Sequence, residues 1–148
     1  MRVAALISWL ITASGGLYLL VIWLIENEAG GRGAAASRLP LPVISGHALL
    51  ATGGLVAWIG YLITGRRALA WASVALLVMV ALLGLTMVSR WIRVYRAFVP
   101  AGGRPGPADL LAAPAERNFP LFVVFAHGLL AVTTTALVVL AALRVGGS

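Results

Sequence analysis

Four long stretches of this chain contain no charged side chain. Residues 3–25, 39–65, 68–89 and 118–143 run for 23, 27, 22 and 26 positions without Asp, Glu, Lys or Arg. About 20 consecutive, mostly apolar residues cross a bilayer core as an α-helix, so each stretch holds one crossing and is too short for two. The spacing predicts transmembrane helices over about 3–25, 42–64, 68–92 and 119–143, forming an all-α, four-helix bundle in a single integral-membrane domain, 1–148. Composition agrees. The chain is 61% hydrophobic and 10% charged, with a mean hydropathy of +1.03, against about 45–50% and about 25% for soluble domains. Too little polar surface remains to cover a soluble core, and the chain is far too apolar for disorder. With no cysteine, disulfides, thiolate metal sites and a cysteine nucleophile are excluded.

The formal charge of +7 comes from eleven arginines, no lysine and four acids. Such a surplus in a soluble chain would suggest nucleic acid. Here the arginines cluster between apolar stretches, as topology signals and headgroup contacts do, so the expected partner is the lipid bilayer, not nucleic acid. Trp23, Trp91, Tyr95 and Phe119 fall at one interface and Trp58, Tyr61 and Trp71 near the other, as amphipathic rings do. Residues 26–41 form a moderate loop, Gly65-Arg66-Arg67 a tight turn and 93–118 a long loop, with a short surface helix expected around Leu110 and Leu111. The two longer loops share one face, the loop face. Seven arginines there argue for a cytoplasmic loop face, whereas a short uncleaved N-terminus argues the reverse. The first apolar run exceeds the 7–15 residues of a secretory signal, so a retained helix is expected.

Residues 40–51 (PLPVISGHALLA) and 120–131 (PLFVVFAHGLLA) are identical at seven of twelve positions, including Pro40/Pro120 and His47/His127. Gly16-Leu17 precedes Trp23 as Gly84-Leu85 precedes Trp91. The pattern reads as two tandem parallel helical-hairpin repeats, 1–64 and 68–143, related by an axis along the membrane normal. Each histidine stands seven residues beyond its proline, about 10 Å along a helix. Helices two and four would then carry the chain's only two histidines at one depth, near the loop face.

Ionisable residues inside a span are functional candidates. Two readings compete for the pair. Neutral imidazoles could hydrogen-bond Ser45, Thr52, Thr133 or Thr134 and glue the bundle, or they could ligate a metal. Structural zinc takes four protein ligands and catalytic zinc usually three, and no span offers a carboxylate or thiol. Two imidazoles complete a six-coordinate haem iron, whose porphyrin supplies four nitrogens. One and two turns past the histidines stand Ala51 and Gly54 in one repeat and Ala131 and Thr134 in the other, small enough to leave room for the ring. Arg38, Arg90, Arg93 and Arg117 gather at the nearer interface, where guanidinium forks suit either propionates or phospholipid headgroups. Arg90 and Arg93 are the better propionate candidates.

Four spans, paired intramembrane histidines and an arginine-rich interface on their side resemble the four-helix membrane b-type cytochromes, which include quinone-linked electron carriers and a superoxide-oxidising member. That resemblance implies haem b on His47 and His127, a quinone and a partner subunit or second copy. Many members bind two haems through four histidines; two histidines here allow one. The repeat is similar in style to small four-span proteins of high-GC bacteria, which implies a bacterial inner membrane and no particular activity. A haem-free structural or assembly subunit and a histidine-gated channel or transporter are the alternatives. No phosphate loop, HExxH helix or GxSxG elbow is present.

Overall fold

A computed structural model describes residues 1–29, 37, 39–98 and 114–144. The described residues form four helices, α1 (Arg2–Ala29), α2 (Leu41–Thr64), α3 (Arg67–Phe98) and α4 (Leu121–Arg144), with a tight turn between α2 and α3 and a 3-10 turn at Ala115–Asn118 before α4. No strand occurs among the described residues. Each helix contains a segment long and apolar enough to cross a membrane: Arg2–Glu26, Leu41–Thr64, Arg67–Arg96 and Leu121–Leu143.

Local chemistry sets the boundaries. Pro40, in an extended conformation, precedes α2, and Pro42 sits in its first turn, where a missing N–H costs nothing. The helix ends at Gly65, whose φ of 69° closes a left-handed cap with its N–H on the Tyr61 carbonyl at 2.9 Å. A side chain would be strained there, and the tight turn into α3 depends on it. At the other face α3 continues through Phe98, six residues into the segment expected to be loop. Trp91 and Val94 stay buried beyond the apolar run, and this helical spacing carries the helix past Arg90 and Arg93. The expected helix around Leu110 and Leu111 falls outside the described residues.

The helices form a square. α2 packs closely along α3 and α1 along α4; contacts between α1 and α2 and between α3 and α4 are sparser, and α2 and α4 stand on a diagonal. The bundle is thus two tight pairs, α2/α3 and α1/α4, facing each other across a looser seam. Hydroxyls clasp each pair. Ser73 Oγ shares its proton between the Leu69 carbonyl of its own helix at 2.9 Å and the Gly54 carbonyl of α2 at 3.1 Å. Between α1 and α4, Ser8, Thr12 and Thr134 form a buried chain: Thr12 donates to the Ser8 carbonyl at 2.8 Å, Thr134 meets Thr12 at 3.0 Å, and Ser8 meets Thr134 at 2.8 Å. With Thr12's proton committed, Thr134 donates to Thr12 and Ser8 to Thr134, so all three donors are used.

Two apolar clusters fill the ends. Trp9, Trp58, Tyr61, Leu77 and Val138 pack at the turn face. Trp23, Leu39, Ile44 and Ala115 pack at the loop face. The long apolar side chains on the outer surface, Leu49, Ile63, Phe122 and Leu129 among them, are exposed, as a lipid-facing surface requires.

Candidate functional site

His47 on α2 and His127 on α4 face one another between the two clusters, with ring centroids 6.3 Å apart and planes tilted by 56°. That tilt excludes stacking. The Nδ1 of His47 lies 3.0 Å from the Val80 carbonyl of α3, and the Nδ1 of His127 lies 3.0 Å from the Thr12 carbonyl of α1. A carbonyl only accepts, so each Nδ1 carries a proton, and in the neutral ring each Nε2 keeps its lone pair. Metal-ligating histidines are oriented in this way, one nitrogen tied to a carbonyl and the other turned to the metal.

Glycines make the reach possible. A Cβ at Gly84 would stand 3.3 Å from His47 Cε1, and one at Gly16 would stand 2.9 Å from His127 Cε1. Within each helix the acceptor carbonyl lies one turn before its glycine, so the missing side chain opens the groove through which the imidazole approaches the backbone. Gly15 adds a second open position beside His127, 3.6 Å from its Nδ1.

With 6.3 Å between their centroids, the two rings are neighbours across the α2/α4 diagonal. Among the described residues no group of three His, Asp or Glu side chains gathers to hold a metal ion, so the described residues offer the histidine pair alone. Such a pair suits a metal whose other ligands arrive with it. Each histidine is held by the partner within its own tight pair, and the two rings meet across the seam.

The hydroxyls weighed as partners for the imidazoles are committed elsewhere. Ser45, Thr52 and Thr133 donate to carbonyls of their own helices, and Thr134 belongs to the α1/α4 clasp. The small residues below the histidines divide. Ala51 and Ala131 are half-buried one turn away. Gly54 instead receives the Trp9 indole, whose ring atoms stand 3.0 and 3.1 Å from where its Cβ would be. Gly54 and Thr134 therefore serve packing between helices and leave no clearance at that level.

At the loop face Arg90 and Arg117 are half-buried, while Arg93 is exposed and donates from Nε to the Ser89 carbonyl at 3.2 Å. Arg38 lies outside the described residues. A feature that residue spacing did not single out sits beside them: Glu116, fully buried in the 3-10 turn. Ser37 Oγ donates to its Oε2 at 2.9 Å while accepting from Trp23 Nε1 at 2.9 Å and from the Leu39 N–H at 3.1 Å. The turn packs against α1 and α3, so this network roofs the end of the bundle nearer the histidines. As one of only four acids, flanked by Pro114 and Pro120, Glu116 carried a signal, but nothing in the spacing distinguished it from a solvated loop acid.

Comparison with protein-family models, with curated proteins and with solved structures gave no match.

Proposed function

We propose that the protein is a small membrane b-type cytochrome that binds one haem b through His47 and His127 and carries single electrons. The observation that carries this reading is the neighbouring histidine pair, each Nδ1 anchored to a backbone carbonyl and each Nε2 left with a lone pair for a ligand. A haem supplies a one-electron couple and four of six iron ligands. His47 and His127 would fill the other two positions, a set that suits electron transfer better than oxygen binding. Gly16, Gly84, Ala51 and Ala131 limit side-chain bulk at the rings. Arg90, Arg93 and Arg117 supply cations on the side where haem carboxylates would lie, and Arg38 is a further candidate by its place in the sequence. The surrounding apolar helices exclude water, which lowers the local dielectric and shifts the potential.

The tandem-repeat reading supports a shared role for the pair. An offset of 80 residues takes His47 to His127, and an offset of 68 takes Thr12 to Val80 and Gly16 to Gly84. Both histidines thus use a carbonyl and a glycine at matching positions of the other repeat. A quinone within the bilayer is the natural electron partner for a site at this depth, with a partner subunit, a second copy of the chain or a small oxidant at the loop face. The setting is a bacterial inner membrane.

A haem-free structural subunit is the second reading, favoured by one observation: each histidine already makes an interhelical hydrogen bond. An absorption spectrum separates the two. Protein purified in detergent from haem-supplemented cells is expected to show a Soret band and, on reduction, the sharp α-band of six-coordinate haem. A colourless preparation rejects the cytochrome and leaves the structural subunit.

A further inference from the structure

Trp91 is buried on α3, yet its indole N–H has no hydrogen-bond partner among the described residues. A buried donor without an acceptor is costly and uncommon in a native structure. Two other orphaned donors, Trp58 Nε1 and Tyr61 Oη, lie in the turn-face cluster, where Arg2 stands over the Tyr61 ring, at the opposite end from Arg90, Arg93 and Arg117. Trp91 is placed differently. It stands two helical turns beyond Gly84, on the same face of α3, and so about 10 Å toward the loop face from the glycine that receives His47. Tyr95 at 5.3 Å and an edge-on Phe125 at 6.5 Å, between ring centroids, fix the indole at the α3/α4 seam.

The residue at the matching position of α1 sharpens the contrast. Trp23 is equally buried, but its Nε1–H is taken by Ser37, which in turn donates to Glu116. One corner of the roof is closed by the protein's own carboxylate through a serine, and the other presents the same donor with no acceptor among the described residues.

We propose that Trp91 Nε1–H is a donor to a carboxylate of the bound haem, so that the carboxylate edge leaves the bundle at the α3/α4 corner rather than at the α1 corner. This inference rests on the haem reading above. Burial makes an indole–carboxylate bond strong, since a charged acceptor roughly doubles the contribution of a neutral one. The indole also selects against porphyrins without acidic side chains, because these leave the donor unpaired. Trp91 here is a positioning residue: it orients the ring about the histidine axis and touches neither axial ligand.

The test is a titration of full-length protein, purified without haem, with two iron porphyrins: haem b, which has two carboxylates, and iron etioporphyrin, which has only alkyl groups. Trp91→Phe keeps the ring and deletes the donor. It is expected to weaken haem b binding about tenfold and to leave etioporphyrin binding unchanged. Trp23→Phe is expected to alter both porphyrins equally, because its donor is used within the protein. Equal loss for both porphyrins in Trp91→Phe, or no loss for either, overturns the inference and leaves the cytochrome standing. Failure of the unaltered protein to bind either porphyrin overturns the cytochrome reading itself.

Discussion

A methyl group at position 16 would meet His127 Cε1 at 2.9 Å, closer than real Cβ contacts come. In an ordinary helix Gly→Ala is stabilising by about 1 kcal/mol. At this position the gain is opposed by overpacking, typically about 1–3 kcal/mol, because the imidazole is tied to the Thr12 carbonyl and cannot retreat without breaking that bond. Gly16→Ala is therefore expected to lower the thermal midpoint in detergent and weaken any haem. Gly84→Ala, with its contact at 3.3 Å, should do so less. Gly53 has nothing within 4 Å of its absent Cβ, so Gly53→Ala should be neutral or stabilising in the same melts. Equal effects at all three positions would contradict the groove account. Residue identities exposed part of this arrangement: the matched histidines and the Gly16/Gly84 echo are visible in one dimension. The acceptors are not. Thr12 and Val80 contribute backbone oxygens, which any residue carries, so side-chain type at those positions holds no trace of the role.

At the level of elements, the α1/α4 pair has no short connection and relies on packing plus the Ser8–Thr12–Thr134 hydroxyl chain. Interhelical hydrogen bonds in membranes average roughly 0.6 kcal/mol and reach about 1.7. Thr134→Val removes the shared member, leaves Ser8 without an acceptor and deprives Thr12 of a donor. A loss of about 1 kcal/mol is expected by denaturant titration in detergent micelles. Replacing all three, as Ser8→Ala, Thr12→Val and Thr134→Val together, should cost no more than Thr134→Val alone, because no buried donor is then stranded. A triple variant much weaker than the single one would show that the chain matters beyond its donors. Thr134 was readable in the sequence as small and helix-facing, and that suggested clearance for a ligand. Its use became apparent only with α1 alongside, since the spacing within one helix does not say which neighbour's hydroxyls it will meet. The helix boundaries were more legible. Charge-free length located all four spans, and Gly65 located the tight turn, because bilayer thickness and backbone sterics act locally. The extension of α3 to Phe98 was missed because hydropathy ends where the arginines begin, while the buried spacing of Trp91 and Val94 continues.

For the whole molecule, the looser seam between two tight helix pairs decides what the histidine pair can hold. At the turn face that seam is closed by Trp9, Trp58, Leu77 and Val138, and above the histidines by Trp23, Ile44 and the Glu116 roof. Between these two closures lies the level of the only two imidazoles in the chain, where the proposed cofactor would sit. The central claim is thus a single iron with two histidine ligands, and low-temperature electron paramagnetic resonance of the oxidised, haem-loaded protein reads it directly. The account predicts a low-spin ferric signal of the bis-imidazole type, integrating to one iron per chain and lost in both His47→Ala and His127→Ala. A high-spin signal in the unaltered protein, or a low-spin signal surviving unchanged in either variant, would contradict it.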